Sequence, residues 1–243
     1  MAEEFSLNNR VLVRVDTTPL GASRTWLVLA KGITSAIESH NDSTDDTPYL
    51  SDGGYGSSDI IGKQYTLAIT GHRIIGNPAQ DYIVSLQGEF GDDAKTYVEY
   101  TKPNGYRTKA YATVAEIVDS GGDANAKTDF SCNFKGCGSP TITQPTSAPA
   151  LNATVAAGTV AGTTSFTATP TPQTTNTLAY KVTPSARTAN LYAHSVGLIA
   201  YTSGADIPAT AGQYLNMYEL DENGRIAKFA THALVAGDIN PGT

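Results

Sequence analysis

The side chains able to do chemistry are few and scattered. The chain holds four histidines, His40, His72, His194 and His232. No two stand at the H-x-x-x-H spacing that sets a pair of imidazoles on one helix face for a metal. Cys132 and Cys137 lack the second pair and the histidine that a zinc site needs, and two thiols make no disulfide framework. They read as ordinary free thiols in or beside a strand. The run Asp42-Ser43-Thr44-Asp45-Asp46 carries oxygens of the kind calcium takes, but not the spacing or the closing glutamate of an EF-hand, so it reads as a solvated loop. Asp221-Glu222-Asn223-Gly224 resembles a calcium loop only superficially. Asp92-Asp93 sit in a glycine-flanked turn, without the aromatic setting that raises a carboxyl pKa for glycosidase work. There is no G-x-S-x-G elbow, no P-loop and no G-x-G-x-x-G. The expectation is a protein without catalytic residues, metal or cofactor, not an enzyme.

The balance of residues points elsewhere. The chain has 243 residues, 40% hydrophobic and 16% charged, with a net charge of -7. Charged residues are scarce against the usual ~25%, while glycine, proline and threonine favour turns and strands over long helices. No basic run is present to displace counterions from phosphates, which argues against tight nucleic-acid binding. Most of the negative charge lies before residue 143. The opening MAEEFSLNNR has neither a basic nor an apolar stretch of the kind a secretion signal needs, and no apolar run is long enough to cross a bilayer. The expectation is a chain made in a cytoplasm, with no membrane partner.

Elements follow from spacing. Segment 139–150, SPTITQPTSAPA, has a linker composition. It divides the chain into a domain over 1–142, a linker over 143–147 and a second domain over 148–243. In the first domain, Val11–Val15, Arg24–Ala30 and Lys63–Thr70 read as strands. Between the last two lies a polar stretch, about 34–59, without period; it reads as a long structureless loop, a rare feature that is usually functional or disordered. Asn77-Pro78-Ala79-Gln80 is a helix start, with Asn77 as cap and Gln80 at capping-box spacing. Ala79, Tyr82, Ile83 and Leu86 form one apolar stripe, the core face of a helix over 78–87. Lys102–Tyr106 predicts a three-residue hairpin loop pairing Tyr97 with Tyr111 and Glu99 with Lys109, followed by a strand to about 118. A last strand, 127–135, sets Phe130, Cys132 and Phe134 on one face.

The second domain reads as wholly β, with strands near 153–158, 164–169, 177–183, 189–194, 196–202, 213–220 and 226–232. Asn223-Gly224 predicts a two-residue turn that sets Tyr218, Leu220, Ala227 and Phe229 on one face and Glu219 against Lys228. Short strands in this number and spacing suggest an immunoglobulin-like β-sandwich.

One region resembles a known family. Lys31-Gly32-Ile33-Thr34, the loop Asp45-Asp46-Thr47-Pro48-Tyr49-Leu50-Ser51-Asp52-Gly53-Gly54-Tyr55-Gly56, Gly71-His72-Arg73 and Gly76-Asn77-Pro78-Ala79-Gln80-Asp81-Tyr82 follow one another in the order and spacing of a major tail tube protein of long-tailed, non-contractile bacteriophages (siphophages). The resemblance covers about 10–137. It implies a mainly β tail-tube fold, two packed β-sheets flanked by one α-helix with a long inter-strand loop. It further implies homohexameric rings stacked into a hollow tube around a tape-measure protein, with tail-tip and tail-terminator proteins as partners. Phage DNA passes the lumen without specific binding. The implied location is the virion tail, assembled in the host cytoplasm.

Under that resemblance, the long loop reaches a neighbouring ring, with Asp45, Asp46, Tyr49, Leu50, Tyr55 and Ile60 as ring-stacking residues. The second domain resembles the immunoglobulin-like domains that decorate some tubes. Two other readings stay open: a secreted or surface-binding β-sandwich protein, carbohydrate-binding or adhesin-like, and a tube subunit of a phage-derived bacteriocin.

Overall fold

The computed structural model describes residues 10–53 and 55–242. The acidic stretch 1–9, Gly54 of the polar segment and Thr243 lie outside the described residues. The chain divides into two compact units, one of residues 10–101 and 107–143, the other of residues 102–106 and 144–242.

The first unit is two packed layers of strands and one helix. Its strands are β1 (Leu12–Asp16), β2 (Trp26–Val28), β3 (Ile33–Asp45), β4 (Asp59–His72), β5 (Lys95–Thr101), β6 (Arg107–Val118), β7 (Asp129–Gly136) and β8 (Thr141–Thr143). They are hydrogen-bonded in the order β2-β1-β5-β6-β7-β4-β3, with β8 also on β6. Strand β6 serves both layers. Its residues Arg107–Thr113 pair with β5, and Ala112–Val118 pair with β7. An irregularity between Ala115 and Val118, where Glu116 takes φ 54°, bends it from one layer to the other. Alternation does the rest: Val13 and Val15 of β1, Val98 and Tyr100 of β5, Ala110, Ala112 and Val114 of β6, Phe130, Cys132 and Phe134 of β7 and Leu67 and Ile69 of β4 all enter one core.

Helix α1 (Pro78–Ser85) covers that core with Ala79, Ile83 and Leu86 buried and Tyr82 half-buried. Asn77 caps it, its Oδ1 accepting the Gln80 N–H at 3.1 Å. The capping box is not completed. Gln80 turns inward instead: its Oε1 accepts the Ile74 N–H, and its Nε2 donates to the carbonyls of Lys31 and His72. It thereby bonds three backbone groups, two beside the helix start and one in the connection before β3, and a buried amide serves them better than a solvated box would. The helix stops at Ser85, two residues short of the expected end, because Leu86 and Gln87 bond back to Ile83 and Val84 in a tightened last turn.

The stretch 34–59 is no structureless loop. Residues 33–45 are strand β3, paired in antiparallel register with β4. Its sequence lacks alternation because much of the hairpin has no layer behind it, so neither face needs apolar residues. At its root, Gly71 lies so close to β3 that an added Cβ would stand 2.2 Å from the Gly32 carbonyl oxygen.

The second unit is an immunoglobulin-like sandwich of a three-stranded and a four-stranded sheet. The first is β13-β10-β9, from β9 (Ala153–Ala157), β10 (Thr163–Ala168) and β13 (Ile207–Pro208); the second is β12-β11-β14-β15, from β11 (Thr177–Thr183), β12 (Ile199–Tyr201), β14 (Tyr214–Leu220) and β15 (Ile226–Ala233). Phe166, Ile207, Leu215 and Met217 fill the space between them. Two expectations fail here. Residues 189–194 form no strand; they are a turn pinned through backbone bonds such as Tyr192 N–H to Ile226 O at 2.8 Å. The turn at Asn223-Gly224 is a three-residue loop, not a two-residue one. Only Gly224 has positive φ, and Asp221 Oδ1 accepts the N–H groups of both Asn223 and Arg225. A bulge then restores the expected Glu219–Lys228 and Tyr218–Phe229 pairs.

Candidate assembly surface

Strand β4 pairs with β7 only over Thr66–His72, opposite Asp129–Lys135. Beyond that, Tyr65 lies beside Gly136 of β7, and residues 59–64 with their partners on β3 continue as a two-stranded ribbon. Six residues at roughly 3.3 Å each carry it about 20 Å past the neighbouring strand. A bulge at Ile61, between the Ser43–Gly62 and Thr44–Ile60 pairs, twists its outer end.

The ribbon collects the residues singled out from sequence. Asp45 faces Asp59 across the strands, and Ile60 is the partner of Thr44. Asp46, Tyr49, Leu50 and Tyr55 belong to the connecting segment 46–58, which holds one turn of 3-10 helix at Leu50–Asp52. All are exposed: Tyr49 by 59%, Tyr55 by 83% and Leu50 fully. Sequence reading missed Ile61, 68% exposed beside Ile60, although the doublet was visible. Thr47 closes the first bend by donating its N–H and hydroxyl to Asp45 Oδ1. Between residues 41 and 63 the sequence has five aspartates and one lysine. That lysine, Lys63, meets Asp42 at 3.4 Å in an exposed pair that adds little stability. Aspartates opposed at the ribbon's end, beside bare apolar side chains, are poor design for a free surface.

A second surface lies on the outer face of β1, β2, β5 and β6, and sequence reading passed over it as a face. Residues of one parity place Arg14, Trp26, Tyr97, Glu99, Lys109 and Tyr111 side by side. Arg14 Nε donates to Glu99 Oε1 at 3.1 Å, and Arg107 reaches Glu99 Oε2 at 3.3 Å. The Arg24 guanidinium lies 3.5 Å above the Tyr97 ring and pairs with the buried Asp16. Lys109 stands 5.4 Å from the Trp26 ring and 5.6 Å from that of Tyr97. The expected Tyr97–Tyr111 and Glu99–Lys109 pairs sit inside this cluster; the parity of Arg14 and Trp26 was the further signal.

The histidines do not converge on a site. His40 packs edge-on against Tyr65, His72 ends β4, and His232 Nε2 lies 2.9 Å from Asp238. Among the described residues no three His, Cys, Asp or Glu side chains group to hold a metal. No helix of the described residues is long and apolar enough to cross a membrane.

Comparison with known proteins gives partial likenesses. Residues 156–237 match the family described as the S-layer protein SbsC C-terminal domain. No curated protein sequence matches the chain. Among solved structures, the chain is similar to the tail of an empty GTA particle with C6 symmetry, at 17% identity over 59% of this chain and 100% of that one, TM-score 0.46. It is similar to the virion of a native gene transfer agent particle, at 16% identity, 59% and 100% coverage, TM-score 0.45. It is also similar to domains 7, 8 and 9 of the S-layer protein SbsC, at 22% identity and TM-score 0.38 over 57% of this chain. It spans 39% of that S-layer chain.

Proposed function

We propose that this chain is the structural subunit of a phage-type tail tube. Six copies form a ring, rings stack into a hollow tube around a tape-measure protein, and DNA passes through. Tail-tip and terminator proteins bound the tube, which forms in the host cytoplasm and belongs to the virion. The second unit decorates the outside. The observation that carries the reading is the ribbon arm: a paired, projecting hairpin whose Tyr49, Leu50, Tyr55 and Ile60 are exposed. Apolar side chains so placed are covered at no cost to the subunit's own core when a neighbour receives them. The edge strands β2 and β3 support the same reading, because joining edges around a ring removes the hazard they present.

The test is negative-stain electron microscopy across a concentration series, on the full chain and on a variant whose residues 46–58 are replaced by Asn-Gly. Six-fold rings or tubes from the full chain, lost in the variant, are the expected result. A full chain that stays monomeric even with a tape-measure protein and a tail-tip initiator overturns the reading. A surface-binding sandwich is the second reading, favoured by the match over residues 156–237. Glycan or cell-wall binding without self-assembly would select it.

A further inference from the structure

We infer that the basic, aromatic outer face of β1, β2, β5 and β6 is the seat for the acidic arm end of a second copy of this chain. The inference rests on the tube reading and names the surface that the arm meets.

Charge complementarity carries it. The chain is acidic overall, yet this face gathers four cations, Arg14, Arg24, Arg107 and Lys109, around two carboxylates, Asp16 and Glu99. Asp16 is already engaged by Arg24 and by the N–H groups of Thr18 and Thr25. Glu99 is shared between two arginines. Among the described residues Lys109 makes no ion pair and only stands near rings. The face therefore keeps an excess of positive charge.

The arm end has the opposite excess, five aspartates against one lysine, together with apolar side chains to lay on Trp26, Tyr97 and Tyr111. Large aromatic and arginine side chains held in place by their neighbours are the groups that anchor interfaces. The arm does not fold back on its own face, since Tyr49, Leu50 and Tyr55 are exposed. A second copy supplies an arm for every face, in equal number.

The test uses the full chain and two charge reversals, Lys109→Glu on the face and Asp46→Lys with Asp59→Lys on the arm, alone and combined. The readout is the concentration at which rings or tubes appear by sedimentation and microscopy, with a thermal melt to check folding. Each reversal alone is expected to raise that concentration about tenfold, and the combination to return it to within about threefold of the parent. The arm variant changes only exposed residues, so it reports even if Lys109→Glu disturbs the sheet. Single reversals that assemble like the parent overturn this inference and leave the tube reading standing, as does a combination no better than the worse single. A parent that never assembles overturns both. Lys109-dependent binding of a single-stranded oligonucleotide by the parent assigns the face to nucleic acid and overturns this inference alone.

Discussion

The carboxamide oxygen of Gln80 accepts the backbone N–H of Ile74 at 2.7 Å, from a side chain that is completely buried. The same carboxamide donates to two carbonyls, so one side chain joins the helix start to the ends of two connections, at Lys31 and His72. Replacing it with leucine keeps the volume but orphans one N–H and two C=O groups. Gln80→Leu is expected to destabilise the first unit by about 2–4 kcal/mol in urea unfolding, because each stranded polar group costs about 1–3 kcal/mol and part of that is relieved by relaxation.

Tyr65 presents the reverse case. It is 2% exposed, at the root of the arm, and its hydroxyl has no hydrogen-bond partner among the described residues. Burial, with the nearby Glu38 carboxylate adding to it, pushes its pKa up, so it stays a neutral phenol. Tyr65→Phe removes an unsatisfied group and keeps the ring. Stability is expected to hold or to rise by up to about 1 kcal/mol, read from the same unfolding curves.

The two thiols should separate cleanly. Cys132 is buried in the core, and burial pushes its pKa up to about 12. Cys137 is exposed. Because the thiolate is the reactive form, a thiol-specific chromogen at pH 8 should titrate one cysteine in the folded chain and both after denaturation. Rapid reaction of both in the native protein would contradict the burial.

Asp206 supplies a pH test for the second unit. The hydroxyl and N–H of Thr159 both donate to it, at 2.6 Å each, and hold its carboxyl below the usual carboxylate range. A depressed folded-state pKa stabilises the fold above the unfolded value of about 3.9, and that contribution is lost as pH falls through the folded value. Asp206→Asn should therefore be less stable than the parent at pH 7, with the gap closing below about pH 4. Equal unfolding midpoints at neutral pH would contradict it.

These elements differ in how openly the sequence announces them. Phe130, Cys132 and Phe134 alternate against a solid core, so β7 was legible, as was the helix from Asn77-Pro78 and the Ala79/Ile83/Leu86 stripe. Strand β3 was not, because hydrophobic period reports a layer behind a strand, and residues 41–45 are exposed throughout. The turn at 189–194 misled for the opposite reason: Leu191, Tyr192 and Ala193 carry strand-like residues on a backbone bonded to several separate segments. The arm's apolar residues could be read along the chain, whereas of the cationic face only the Tyr97–Tyr111 and Glu99–Lys109 pairs could. Arg14, Trp26, Tyr97 and Lys109 lie far apart in sequence and meet only through the registers of β1, β2, β5 and β6.

The pairing of β3 with β4 also bears on timing. A hairpin already closed in the lone subunit has given up its chain entropy before any partner arrives. In the assembly proposed above, growth at the arm then does not wait for the arm to fold. Its slow step is the first encounter, when subunits with arms of like charge are brought together without a completed layer to receive them. Under that proposal the onset of growth is set by whatever supplies the first layer.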